Sequence, residues 1–212
     1  MKKRAFKDAM YGQVGRLAKA MANPHRLELL DLLANGAKSV EQIARETNLS
    51  VPNASQHLQV LKREGLVKAE RSGNFMFYSL SSLAVYRLWR TLRDFSMQHS
   101  AELRRELDAF RARQGSTQSI TLAELKGRRD ILFLDVRPLQ EYEAGHLAGA
   151  LHIPIDELEG RIPDLPRNRL IIAYCRGPFC TYADEAVRQL LAAGLQAIRL
   201  EENAIDYQLI ND

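Results

Sequence analysis

Cys175 and Cys180 are the two cysteines of this chain, and they bracket the loop Cys175-Arg176-Gly177-Pro178-Phe179-Cys180. Ahead of the loop runs Leu170-Ile171-Ile172-Ala173-Tyr174, an apolar stretch of strand length. Behind it a helical pattern extends from Thr181 to about Ala193. Cys175 therefore stands at the carboxyl end of a buried strand and faces the amino end of a helix. Unpaired backbone N–H groups and the helix dipole favour an anion there. Such surroundings lower a thiol pKa and make the thiolate a competent nucleophile.

The elements that must position this thiol are legible around it. Ile131 to Val136 and Leu170 to Tyr174 are continuous apolar runs, as parallel strands covered on both faces would be. Ala150 to Ile153 and Ala197 to Leu200 are two further strand candidates. Helical patterns alternate with them, which predicts an α/β domain over 120–212 with its site at the carboxyl ends of the strands. The small, polar segment 114–119 (Gln114 to Ser119) reads as a linker, and residues 1–113 as a separate, mainly helical domain.

Charge divides the chain in the same way. Residues 1–115 carry 20 Lys+Arg against 11 Asp+Glu, whereas 116–212 carry 10 against 15, within an overall balance of +4. A basic half joined to an acidic half predicts that only the first meets a polyanion. No run of about 18 apolar residues occurs, so no membrane span is expected. The basic start Met1-Lys2-Lys3-Arg4 leads into no apolar signal core, and a cytoplasmic location is expected.

In the first half, Asn23-Pro24 opens a helix that stops at Gly36, and Ser39 caps a second, short one. Asn48-Leu49-Ser50 makes a tight turn, and Ser50 caps a third helix ending near Gly65. That helix turns Ala54, Leu58 and Leu61 inward and presents Asn53, Ser55, Gln56, His57, Gln59, Lys62 and Arg63. Two short helices, a tight turn and a polar-faced second helix form a helix-turn-helix. Asn and Gln suit adenine edges, Lys and Arg phosphates or guanine. Strands from Leu66 to Arg71 and Phe75 to Leu80 flank Ser72-Gly73-Asn74, a hairpin that would place Arg71 against the DNA backbone or minor groove. A long helix is predicted from about Leu83 to Arg113, its apolar stripe (Tyr86, Trp89, Leu92, Phe95, Leu103, Leu107, Phe110) suited to packing on a second copy.

Ala22 to Leu30, Gln42-Ile43-Ala44, Ser50 to Lys62 and the hairpin residues through Tyr78 together resemble the ArsR-type winged-helix repressors over about 90 residues. The resemblance implies a symmetric dimer that binds a palindromic double-stranded operator and is released by a signal. Metal-sensing members carry a cysteine pair on the helix before the turn, or ligands along the last helix. Val40 to Thr47 has no cysteine, and Asp94 and His99 lie five apart on different helix faces. No set of convergent N or S ligands is present, so neither metal nor cofactor is expected.

Leu134-Asp135-Val136-Arg137, Glu141-Tyr142, Gly145 to Pro154 and the Cys175 loop are similar to the rhodanese family over about 80 residues. The resemblance implies that Cys175 takes sulfane sulfur from a donor such as thiosulfate or a persulfide and becomes a persulfide itself. The six-residue loop from Cys175 to Cys180, with Arg176, Gly177 and Phe179 among its site residues, would curl its amides around the terminal sulfur. Asp135 and Arg137 are expected to form an ion pair beneath the loop. Arg176 is the loop's only cation, so weak thiosulfate binding is expected. Thr181 stands where phosphatases and arsenate reductases of related design need an arginine. Cys180 could act as a resolving thiol, attacking an oxidised or persulfidated Cys175, if the loop brings both Cβ atoms within about 4.5 Å.

The expected function is a DNA-binding regulator, a repressor, whose second domain senses or transfers reactive sulfur through Cys175. The alternatives are a thiosulfate-type sulfurtransferase tethered to DNA, or an inactive rhodanese fold used for interaction.

Overall fold

A computed structural model describes residues 2–115 and 118–211; of the expected linker, Ser116 and Thr117 lie outside the described residues. The chain divides into two compact units, Met1–Asp94 and Phe95–Asp212.

The first unit opens with α1 (Lys3–Met21) and α2 (Pro24–Leu33), whose N-cap Asn23 accepts a hydrogen bond from the Arg26 amide at 3.1 Å. A two-residue strand, β1 (Lys38–Ser39), leads directly into α3 (Val40–Glu46). Ser39 closes a capping box there, accepting from the Gln42 amide while the Gln42 side chain accepts from the Ser39 amide. Asn48, at φ 54°, is the one non-glycine at positive φ among the described residues, and it turns the chain into α4 (Val51–Arg63). Asparagine tolerates that conformation better than most residues. The hairpin is β2 (Val67–Ser72) and β3 (Phe75–Leu80), with Ser72 opposite Phe75. With β1 it forms an antiparallel sheet in the order β1-β3-β2. Leu29, Leu30, Ile43, Leu58, Leu61 and Tyr86 make the core.

α5 (Leu83–His99) starts in this unit, and the buried Trp89 donates its indole N–H to Asp31 at 2.7 Å. The long helix expected to reach Arg113 is broken. Ser100 takes an extended conformation, its hydroxyl accepts from the Leu103 amide, and a new helix, α6 (Ala101–Gln114), begins. A serine that can cap competes with helix continuation, and here capping wins.

In the second unit a parallel sheet has the order β4-β8-β7-β5-β6. Its strands are β4 (Ser119–Ile120), β5 (Ile131–Asp135), β6 (Leu151–His152), β7 (Leu170–Tyr174) and β8 (Ala197–Leu200). α7 (Leu139–Ala144), α8 (Ile155–Arg161), α9 (Tyr182–Ala192) and α10 (Ala204–Asn211) connect and cover them. Along β7 the side chains alternate between two cores, as a period of two requires. Ile171 and Ala173 face the cluster of Ala183, Ala186, Val187 and Leu190 from α9. Ile172 and Tyr174 face Leu147, Leu200 and Ala204. Cys175 continues the first series, so its thiol is directed to the α9 side.

The chain's single tryptophan lies in the first unit, so its fluorescence follows that unit alone. Ser39→Ala should lower the stability read this way by about 1 kcal/mol, through loss of the cap. The denaturant midpoint falls while the slope is unchanged.

Candidate functional site

Cys175 is 1% exposed and sits one residue past β7. The loop that follows is shaped by its carbonyls. The Arg176 carbonyl accepts from Asn203 Nδ2 at 3.1 Å, the Gly177 carbonyl from Arg199 Nη2 at 3.1 Å, and the Pro178 carbonyl from Arg111 Nη2 at 3.5 Å. Three successive carbonyls are thus held by side chains of three other elements: the start of α10, β8 and α6. The Gly177 carbonyl also accepts from the Cys180 amide at 3.2 Å, so that amide is spent within the loop, while the Gly177 and Ala183 amides face Cys175, as backbone donors do in anion-binding sites. Gly177, at φ 118°, makes the turn that a residue with a Cβ would make only under strain.

Burial pushes the Cys175 thiol up, but the Cys180 thiol, the Arg199 charge and the Ala183 and Gly177 amides outweigh it and bring it to about 7. Arg199 is fully buried on β8 and paired with Asp184 of α9 at 3.0 Å. Cys180 is pushed the other way, by its hydrogen bond to Cys175, by burial and by the neighbouring negative charge. The two thiols are free, and the charge of one bears on the other. As a thiol, Cys175 donates to the Cys180 carbonyl at 3.5 Å; as a thiolate, it accepts from the Cys180 thiol. α9 begins without a side-chain cap, so its first amides also remain for an anion.

The charged residues picked out in the sequence fall into separate pairs. Asp135 and Arg137 form a fully buried fork, Nε to Oδ1 at 2.9 Å and Nη2 to Oδ2 at 2.6 Å. The fork is tied to the Gly145 carbonyl at 2.8 Å. Arg176, expected as the loop's cation, instead grips the buried Glu141 of α7 with both edges of the carboxylate at 2.9 and 3.0 Å. The cation that acts on Cys175 is Arg199, which sequence reading missed because it lies 24 residues beyond in an ordinary strand pattern. Phe179 is exposed beside the loop mouth.

In the first unit, Asn53, Gln56, Gln59, Lys62 and Arg63 are exposed on α4, while Ser55 and His57 are half-buried. Ser50 spends its hydroxyl on the α4 cap. Gln59 Nε2 donates to the Tyr78 hydroxyl at 3.1 Å and ties the helix to the hairpin. His57 lies against His25, ring centroids 5.4 Å apart, and burial together with the His25 and Arg26 charges pushes it down. Arg71 is exposed at the hairpin tip, its Nε donating to the Gly73 carbonyl at 3.1 Å.

A winged helix-turn-helix unit, followed by a parallel sheet with a cysteine loop at its carboxyl edge, defines a transcriptional regulator with a rhodanese-like second domain. The sequence model of the arsR family of bacterial regulatory proteins matches residues 23–69, and that of the rhodanese-like domain residues 120–205. The HTH-type transcriptional regulator Rv0324 of Mycobacterium tuberculosis is 40% identical over 206 residues, spanning 96% of this chain and 90% of the relative. The transcriptional repressor SdpR of Bacillus subtilis is 39% identical over 64 residues, 30% of this chain and 71% of its own. The solution structure of the homodimeric winged helix-turn-helix DNA-binding domain of Mb0332 from Mycobacterium bovis is 39% identical, with a TM-score of 0.43, covering 47% of this chain and 89% of that one. The chain belongs to the arsR family of bacterial regulatory proteins and carries a C-terminal rhodanese-like domain. Among the described residues no helix is long and apolar enough to cross a membrane.

The thiol pair should titrate in two steps, as coupled groups do. Thiolate absorbance should rise first near pH 7 and again well above the usual range of about 8.5 for free cysteine. Cys180→Ala removes a donor to the Cys175 thiolate, and the first step should move upward. A first step unmoved by that substitution would refute the Cys180 thiol as a donor to Cys175.

Proposed function

We propose that this regulator is a repressor that binds its operator with α4 and the hairpin, and reads sulfane sulfur at Cys175. The observation that carries the sulfur reading is the buried thiol inside a loop whose carbonyls are drawn outward by Asn203, Arg199 and Arg111. In the transfer step the Cys175 thiolate attacks the outer sulfur of a persulfide or thiosulfate. The donor's S–S bond breaks and its electron pair leaves with the donor thiolate or sulfite, while a new S–S bond forms at Cys175. One sulfur moves and nothing is oxidised overall. Amides of the loop and of α9 then face the terminal sulfur anion, as donors preorganised toward developing charge do elsewhere.

Several features favour sensing over turnover. Arg176 is engaged by Glu141, so the loop's own cation is committed before a dianion such as thiosulfate arrives. Cys180 is held as a protonated donor at neutral pH, which suits stabilising the Cys175 anion better than attacking it. The resolving reaction, in which a Cys180 thiolate displaces hydrosulfide from the persulfide to give a disulfide, belongs to more alkaline conditions.

On the DNA side, Asn53 and Gln56 suit base edges, while Lys62, Arg63 and Arg71 suit phosphates. A homodimer on a palindromic operator fits the exposed apolar stripes of Phe6, Met10 and Val14 on α1 and of Leu88, Leu92 and Phe95 on α5.

The test is a gel-shift titration at fixed salt, since phosphate contacts make affinity salt-dependent. Reduced protein should bind as two chains per duplex, and treatment with a low-molecular-weight persulfide should weaken binding at least about tenfold, a coupling of about 1.4 kcal/mol. Cys175→Ser should abolish the response. Equal affinity of the reduced and the persulfidated wild type would sink the proposal.

A further inference from the structure

α6 is attached to its unit in an unusual way. Among its described residues Arg111 is the one buried side chain, while Leu103, Leu107 and Phe110 are only half-buried. An amphipathic helix is ordinarily held by an apolar face; here the anchor is a guanidinium set between Glu201 beyond β8, Asp184 of α9 and one carbonyl of the sulfur loop, that of Pro178. Arg111 Nη1 and Nη2 reach the two oxygens of Glu201 at 2.9 and 3.2 Å, and Nη2 also reaches the Pro178 carbonyl at 3.5 Å. Nε points toward Asp184 Oδ1 at 3.8 Å, just outside hydrogen-bond range. Both of these last two atoms are buried and have no hydrogen-bond partner. Asp184 holds Arg199 with its other oxygen, and Arg199 holds the next loop carbonyl, that of Gly177.

The set is therefore only partly satisfied, and its weakest links, at 3.5 and 3.8 Å, are those that a small displacement would make or lose. A sulfur atom added to Cys175 lies about 2 Å beyond Sγ. It comes to lie against the Gly177–Pro178–Phe179 peptides, whose carbonyls at 177 and 178 are the ones that Arg199 and Arg111 hold, so an adjustment of these peptides toward the new anion is felt first at those two bonds. In switching proteins small shifts of this kind are amplified where packed elements have two discrete arrangements.

We infer that α6 is a latch on the sulfur loop, closed through Arg111 while Cys175 is a thiol and released when Cys175 carries a second sulfur. The inference rests on the sulfane-sulfur reading above and adds its output element. The chemical step is the one already given: the donor's S–S bond breaks as the Cys175–S bond forms, and the donor departs as a thiolate. α6 follows α5 in the chain, and α5 begins in the DNA-binding unit, so the order of α6 is the property nearest in sequence to that unit that the loop controls.

The experiment is hydrogen exchange with mass spectrometry on the full chain, before and after treatment with glutathione persulfide, together with the intact mass. An added mass of about 32 Da reports the persulfide. Exchange of the α6 amides should then rise about tenfold or more while the amides of β5 and β7 hold their rates. Arg111→Ala should exchange fast in α6 in the thiol form already, and Arg111→Lys, which keeps the charge but loses the fork, should lie between. Cys175→Ser should show no response to the donor. Persulfide formation with α6 unchanged, or Arg111→Ala exchanging like the wild type, overturns the latch alone. Absence of the mass increase overturns the sulfur reading and the latch together.

Discussion

The ion pair between Arg199 and Asp184 is the interaction on which the second unit's chemistry depends. Both groups are buried, and removing two charges from water costs several kcal/mol per ion unless geometry and further hydrogen bonds compensate. Compensation here comes from the loop: Arg199 also binds the Gly177 carbonyl, so the pair joins β8, α9 and the sulfur loop at one point. Taking away one partner would leave an uncompensated buried charge, a change that typically costs about 3–5 kcal/mol. The same guanidinium draws down the neighbouring thiol. Structural and electrostatic roles therefore meet in one guanidinium.

Local physics made much of this molecule readable in advance. Ser39 with Gln42, and Ser50 with Asn53, announce their helices because capping needs partners only three residues apart. The apolar runs at 131–136 and 170–174 announce buried parallel strands because both faces are covered. The second of these runs stops at Tyr174, which leaves Cys175 at a strand end. β1 and β4, at two residues each, are too short to show any period and exist through their pairing with β3 and β8.

What sequence reasoning lacked was distance. Glu141 and Arg176 are 35 residues apart, Arg111 and Glu201 are 90 apart, and nothing local marks either pair. Arg176 stands out locally as the loop's one cation, whereas Arg199 and Arg111 sit within an ordinary strand and helix pattern. The break at Ser100 was hidden in another way. An apolar period running on both sides of a serine reads as one helix, and only the cap geometry shows two.

The buried pairs have one more effect, on the outside of the second unit. Arg137, Arg176 and Arg199 are each cancelled by a carboxylate in the interior, namely Asp135, Glu141 and Asp184. Matched pairs leave the imbalance of 10 cations against 15 anions in residues 116–212 untouched, and of that excess Asp206 is buried while Glu201 is met by Arg111 of α6. Like-signed polyelectrolytes repel across roughly 8 Å of physiological salt. The acidic excess lies in the residues of the rhodanese-like half and the basic excess in those of the N-terminal half, so charge favours attraction to a polyanion only in the latter.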